Sequence, residues 1–208
     1  MVINHYGLGM IKIQQGELAV AFNPIDEVPK GRNDIKVVNF GADIALVSLN
    51  QPGYNGAARV ARGDRALFLV NSPGEYEVGG TFIRGLPTAG PEGQNNTIYL
   101  LTIDQIRLVH LGALVDPKLP DDVTEKLGSV DVLFVPVGNG SLLNPKQAAQ
   151  VVATLAPELV VPVDYDAKTL PIFLKEMGAE KEQPNESLTL KRKDLIGGST
   201  RVNIIKSF

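Results

Sequence analysis

Imidazoles are scarce in this chain. Its two histidines, His5 and His110, lie far apart in sequence, and cysteine is absent. A catalytic zinc ion usually takes about three protein ligands from His, Cys, Asp or Glu and keeps one position open. Two separated imidazoles cannot assemble a His-rich pair of metal ions, so no resident metal or other cofactor is expected. The groups left to do chemistry are carboxylates, a phenol and the imidazoles singly. His110, oriented by Asp164 or Glu75, would make a general base if a cavity surrounds it. A strand-end histidine in a hydrogen-bonded packing role fits the same residues. Tyr54 and Gln51 either fill space as a structural polar network or hydrogen-bond a small ligand. Asp116, Asp164 and Asp166, with backbone carbonyls, would suit Ca²⁺ or Mg²⁺, which need about six or more oxygens. His5, near an N-terminal strand edge, reads as exposed or capping.

The chain around these groups is of ordinary globular make-up. It has 208 residues, 44% of them hydrophobic and 21% charged, with a net charge of −3 and a pI near 5.4. That size suits one domain spanning residues 1–208 with a sizeable core. The mild acidity argues against a nucleic-acid or anionic-membrane surface. No apolar run reaches membrane-spanning length. The opening MVINHYGLGMIKI has no basic stretch followed by an apolar one, so a secretory signal is not expected and the cytoplasm is the default. The lack of cysteine excludes disulfides, iron–sulfur clusters and thiolate zinc sites.

Apolar runs and turn residues place the elements. Gly9 to Ile13 and Glu17 to Phe22 flank Gln14-Gln15-Gly16 as a hairpin. Strands are expected over Asp34 to Asn39, Ala42 to Ser48, Ala66 to Val70, Thr81 to Arg84, Thr97 to Thr102 and Ile106 to His110. Pro87 to Asn96 reads as a loop. Later strands are Val130 to Val137, Leu159 to Val163, Leu188 to Arg192 and Arg201 to Lys206. Helices are expected over Leu119 to Leu127, then from Asn144-Pro145 (cap and first position) through Lys146 to Ala156, and over Thr169 to Met177. Strands packed on strands with helices outside imply an α/β sandwich of two sheets.

Several motifs carry less than they suggest. Gly138-Asn139-Gly140 follows a strand but lacks a third glycine and a prompt helix, so it reads as a turn. Gly7-x-Gly9 leads into a strand and is no phosphate loop. Asn95-Asn96-Thr97 matches a glycosylation acceptor by chance. The basic run Lys191-Arg192-Lys193 falls on an expected edge strand, where lysines guard against aggregation.

Six segments in order carry a resemblance: Phe22-Asn23-Pro24, PGEYEVGGTFIRGLPT (73–88), HLGAL (110–114), VDVLFVPVG (130–138), ELVVPVDY (158–165) and FLKEMG (173–178). Together they resemble the metallo-β-lactamase superfamily, in particular the branch of expected zinc-dependent hydrolases related to ascorbate-phosphate lactonases. The resemblance implies a four-layer αββα sandwich and a metal-dependent hydrolase ancestry. It also implies where the metal ligands would stand. The family's Thr-His-x-His-x-Asp-His turn matches Ser48, Leu49, Gln51, Gly53 and Tyr54. A ligand histidine after a GLPT-like stretch matches Ala89 and Gly90, the bridging Asp of an HLGD-type turn matches Ala113, and the last ligand histidine matches Asp164. Asp164 and Gln51 alone keep an oxygen donor at these places.

The expectation is therefore a metal-free member with a vestigial pocket of Gln51, Tyr54, Glu75, His110 and Asp164. It would act as a binding, scaffold or partner subunit, as a homo-oligomer or beside an active bacterial paralogue, with a small-molecule ligand possible. The competing expectation is a hydrolase with an atypical metal set, or a metal-free site around His110, Asp164 and Tyr54.

Overall fold

In a computed structural model that describes residues 1–63, 66–138, 140–195 and 197–207, the short N-terminal runs form a meander. Strands β1 (Val2–His5), β2 (Ile11–Gln15) and β3 (Leu18–Phe22) pair antiparallel in sequence, and Gly16 supplies the positive φ of the hairpin turn. Strands β4 (Ile44–Leu46) and β5 (Phe68–Val70) then add in parallel. The late strand β12 (Leu188–Thr189) closes the other edge of this six-stranded sheet.

The second sheet has seven strands. Antiparallel β6 (Gly74–Val78), β7 (Thr81–Ala89), β8 (Asn95–Ile103) and β9 (Ile106–His110) lead into parallel β10 (Val132–Pro136), β11 (Leu159–Val163) and β13 (Arg201–Val202). Of these, β10 and β11 are buried on both faces, as their continuous apolar sequences require.

The two sheets pack face to face through alternate residues. Ile11, Ile13, Val20, Phe22 and Leu46 of the first meet Tyr99, Leu101, Phe134 and Val161 of the second. Three helices, α1 (Asp121–Leu127), α2 (Pro145–Leu155) and α3 (Thr169–Glu176), cover the outer face of the seven-stranded sheet. Helix α2 begins with a capping box between Asn144 and Gln147 and Pro145 in its first turn. Its Ala148, Val151, Val152 and Leu155 form the helical stripe that the core accepts.

Some expectations are corrected here. Residues 34–39 form no strand; they run as irregular chain, with Ile35 packed on Met10, Ala21 and Ala45. That segment and the 3-10 turn Ala57–Val60 cover the outer face of the first sheet, so the expected outer helical layer is coil on this side among the described residues. The physical reason is that apolar residues there satisfy burial without a ladder partner. Of residues 87–96, expected as a loop, 87–89 and 95–96 belong to β7 and β8, and 90–94 form the turn between them. Residues 192–194 make a 3-10 turn instead of an edge strand, and Arg192 reaches the nearly buried Asp131 at 2.5 Å. Residues 201–206 keep a ladder only over Arg201–Val202, with an isolated bridge at Ile205. Asn139 lies outside the described residues.

Candidate functional site

The carboxyl ends of β3, β4, β9 and β11 converge at one rim of the sandwich, where irregular backbone can present side chains. Two asparagines brace this rim. Asn23, at φ 45° after β3, accepts the Ser48 amide on its Oδ1 at 2.8 Å. Asn96 accepts the Ala113 amide at 2.8 Å and donates to Thr88 Oγ1 and the Leu111 carbonyl. These bonds fix the loop after β4 and the turn after β9, the two places where the resemblance puts metal ligands.

What the braced loops present is mostly apolar. Leu49, Tyr54 and Ala113 form a small buried cluster with Leu142 against it. Leu49 and Ala113 have no donor atom and Gly53 has no side chain. Ala89, the last residue of β7, is exposed and likewise without a donor. His110 is fully buried and stacked between Phe22 and Phe134, at ring distances of 5.1 and 5.6 Å. Its Nδ1 accepts the Gly112 amide at 2.9 Å, so its Nε2 carries the proton and donates to the Gly9 carbonyl, also at 2.9 Å. Burial pushes its pKa down to about 3, which keeps it neutral. Both ring nitrogens are thus spent on the backbone, and His110 packs beneath the cavity rather than acting as a base or a ligand.

Two more expected positions move. Glu75 is on the edge strand β6, exposed and paired with Arg84 at 2.8 Å, outside the pocket. His5 is neither exposed nor a cap: it is 2% exposed, with Nε2 2.8 Å from the Leu8 carbonyl and Nδ1 3.2 Å from the Ile205 carbonyl. Asp116 turns back on the Lys118 amide and is not part of the cavity lining, whereas Asp164 and Asp166 are. Among the described residues no three His, Asp or Glu side chains converge as a metal site.

The cavity itself has a volume near 360 Å³. Tyr54, Gln51, Asp164, Asp166, Arg32 and Ser141 give it polar atoms, and Leu8, Pro29, Pro91 and Leu142 give it apolar walls. Asp164 is its centre. It sits just beyond β11 at φ 56°, held there by its own amide to the Leu8 carbonyl at 2.9 Å. The Tyr54 hydroxyl donates to its Oδ2 at 3.3 Å. Burial pushes the Asp164 carboxyl from 3.8 up to about 7, although the Arg32 charge and the Tyr54 hydrogen bond pull it the other way. Burial, reinforced by the Asp164 charge, lifts the Tyr54 phenol well above its ordinary value, so it remains a donor. Arg32 is already committed. Its Nε and one Nη clasp Asp34 at 3.1 and 2.9 Å, and the same Nη reaches the Tyr165 carbonyl at 3.0 Å. Arg32, Leu8 and Ser141 come from loops without a motif, and sequence reasoning did not single them out.

Residues 3–164 match the model of the Beta-lactamase superfamily domain. The chain belongs to that family. A UPF0173 metal-dependent hydrolase of Thermococcus onnurineus is 31% identical over 127 residues, 53% of this chain and 57% of that protein. A UPF0173 protein of Pyrococcus furiosus is 35% identical over 91 residues, 44% of this chain and 41% of its own length. The chain thus matches about half the length of these curated relatives, which are archaeal. Among solved structures, a candidate Zn-dependent hydrolase of the metallo-β-lactamase superfamily from Thermotoga maritima superposes with a TM-score of 0.78 at 24% identity, covering 99% of both chains. A metallo-β-lactamase fold protein of Bacillus subtilis gives 0.62 at 10% identity over 99% of this chain and 96% of that one. At these identities the likeness carries the metallo-β-lactamase-type fold and no more.

The metal pair that such a family implies does not fit the residues present. Its positions hold Leu49, Gly53, Ala113 and Ala89, its neighbouring imidazole is satisfied by backbone, and one carboxylate and one amide remain. No helix among the described residues is long and apolar enough to cross a membrane.

Proposed function

We propose that this chain works its family's pocket without the family's metal pair, as a small-molecule binding subunit built on a hydrolase frame. The observation that carries the reading is the Asp164–Tyr54 pair, buried, hydrogen-bonded and opening on a cavity of about 360 Å³ beside an apolar cluster that occupies the metal positions. A buried carboxyl held near neutrality is costly for a fold, and such groups gather at functional sites.

A second reading has its own support. The Thermococcus onnurineus relative is called a metal-dependent hydrolase, and a carboxyl pushed up to about 7 is matched to proton transfer at neutral pH. In that reading Asp164, as carboxylate, takes a proton from an attacking water while the Tyr54 hydroxyl steadies it. His110 has no part, since its nitrogens are engaged.

Metal content and turnover test both. After incubation with Zn²⁺, Mn²⁺ and Fe²⁺ and desalting, elemental analysis is expected to find well below one metal per chain. Stoichiometric metal retained by the protein overturns the metal-free reading outright. A panel of esters, lactones and phosphoesters, assayed on wild type and Asp164→Asn, separates binding from hydrolysis. Turnover abolished by the substitution makes the second reading the correct one.

A further inference from the structure

The charge around the cavity specifies what its ligand must bring. Arg32, the one cationic side chain in the lining among the described residues, faces Asp34 through two hydrogen bonds and spends a third on the Tyr165 carbonyl. That pairing offsets its charge with Asp34, while its second Nη has no hydrogen bond among the described residues. The carboxylates are the reverse. Asp164 is 7% exposed, and among the described residues its side chain receives one hydrogen bond, from Tyr54 to Oδ2. Its Oδ1 receives no hydrogen bond among the described residues, and the residue lines the cavity. Asp166 spends Oδ1 on the amides of Lys168 and Thr169, both at 2.8 Å, and its other oxygen is left over. Gln51 and Ser141 add neutral polar atoms, and the Leu8, Pro29, Pro91 and Leu142 side chains make the rest apolar.

We propose that the ligand of this cavity carries a protonated amine on a short apolar body, with the ammonium seated against Asp164 and the body against the apolar walls. This rests on the reading of the cavity as a binding site and names the chemical class that it takes. An ammonium is a compact point charge with three donors, so it can use Asp164 Oδ1 and a neighbouring oxygen of Asp166 or Gln51 at once. It also gives the buried Asp164 a bonded cation, which no side chain among the described residues supplies. A carboxylate or phosphate ligand would meet Asp164 and Asp166 with like charge and an Arg32 whose charge Asp34 already offsets. A hard divalent cation would need about six oxygens, and no three acidic or imidazole side chains converge here among the described residues.

The test is an amide-resolved NMR titration of the full chain with three probes of similar size: n-butylammonium, n-butanol and butyrate. The ammonium is expected to shift the amides around Tyr54 and Asp164 with a Kd at least about tenfold lower than that of butanol, and butyrate is expected to shift none of them. Asp164→Asn is expected to raise the ammonium Kd by about tenfold or more, since a neutral amide cannot pair the charge. Asp166→Asn, at the more exposed rim, should give a smaller rise. Equal binding of butanol, preferential binding of butyrate, or an Asp164→Asn variant that binds the ammonium unchanged each overturns the proposal while leaving the pocket standing. Displacement of the ammonium by low Ca²⁺ or Mg²⁺ overturns it in favour of a metal site. If none of these probes moves the cavity amides, the ammonium proposal falls, and a wider neutral and anionic fragment screen decides whether the binding reading falls with it.

Discussion

Asp164→Asn isolates the electrostatic cost of the cavity from its shape. The carboxyl is buried behind Leu8 and Tyr54, and its pKa rises from 3.8 to about 7 in the folded chain, with burial the leading cause. Between those two values the unfolded chain releases the proton while the folded chain retains it. Folded stability therefore falls as pH rises through that window and levels off above about 7. At about 1.4 kcal/mol per pH unit, the full difference amounts to roughly 4 kcal/mol, an upper bound once water penetration and relaxation are allowed for. Asparagine keeps the shape, tolerates the left-handed φ of 56° and still accepts the Tyr54 hydroxyl, but cannot ionise. The variant should thus be more stable than wild type at about pH 8, by as much as roughly 4 kcal/mol, with the gain shrinking toward zero near pH 4. The chain has no tryptophan, so urea unfolding is best followed by far-ultraviolet circular dichroism at several pH values. A variant less stable than wild type near pH 8, or a gain that does not change with pH, would refute the reasoning, because either result means the carboxyl is not paying a burial penalty.

Two further substitutions probe the same region. Tyr54→Phe removes the hydroxyl that favours the charged Asp164, so the Asp164 pKa should rise further, as read by carbon-detected NMR titration of its carboxyl, at a cost of about 1 kcal/mol in stability. Gly112→Ala should destabilise the chain by about 2–3 kcal/mol or more in urea unfolding, since the new Cβ would lie 2.3 Å from Asn96 Oδ1 at a φ of +62°; an unchanged midpoint would show that the asparagine brace is slack.

Legibility in the sequence followed how strictly each segment's chemistry constrained it. Continuous apolar runs such as Val132–Pro136 and Leu159–Val163 have one solution, a doubly buried parallel strand, and they were readable. Residues 34–39 were not. Ile35, Val37 and Val38 bury against the first sheet, so the pattern of a strand is present while the ladder is not. The first strand, Val2–His5, is short and half polar, and its histidine is buried because the chain near Ile205 closes over it, a contact between residues some two hundred positions apart. At the site, Gln51, Tyr54 and Asp164 were found through resemblance and do share one cavity. Glu75 was misplaced because a close match in a local motif says nothing of which edge it occupies. Arg32 was missed because a single basic residue in a loop has no periodic or spacing signal.

The braces hold the rim through backbone rather than through the residues at the expected ligand positions. Asn23 and Asn96 bond to backbone amides at Ser48 and Ala113, and Gly112, whose added Cβ would strike both Ser48 and Asn96, lets those turns close. None of these bonds uses the side chains at 49, 53 or 113. In the reading proposed above, leucine, glycine and alanine at these positions cost the loops no hydrogen bond that they depend on, and the apolar packing of Leu49, Tyr54 and Ala113 contributes burial of its own. Asp164 is the exception, since its charge is a cost that packing does not repay. A buried residue that burdens the fold while lining a cavity is where function is to be sought, and the pH dependence of the Asp164→Asn variant measures that burden directly.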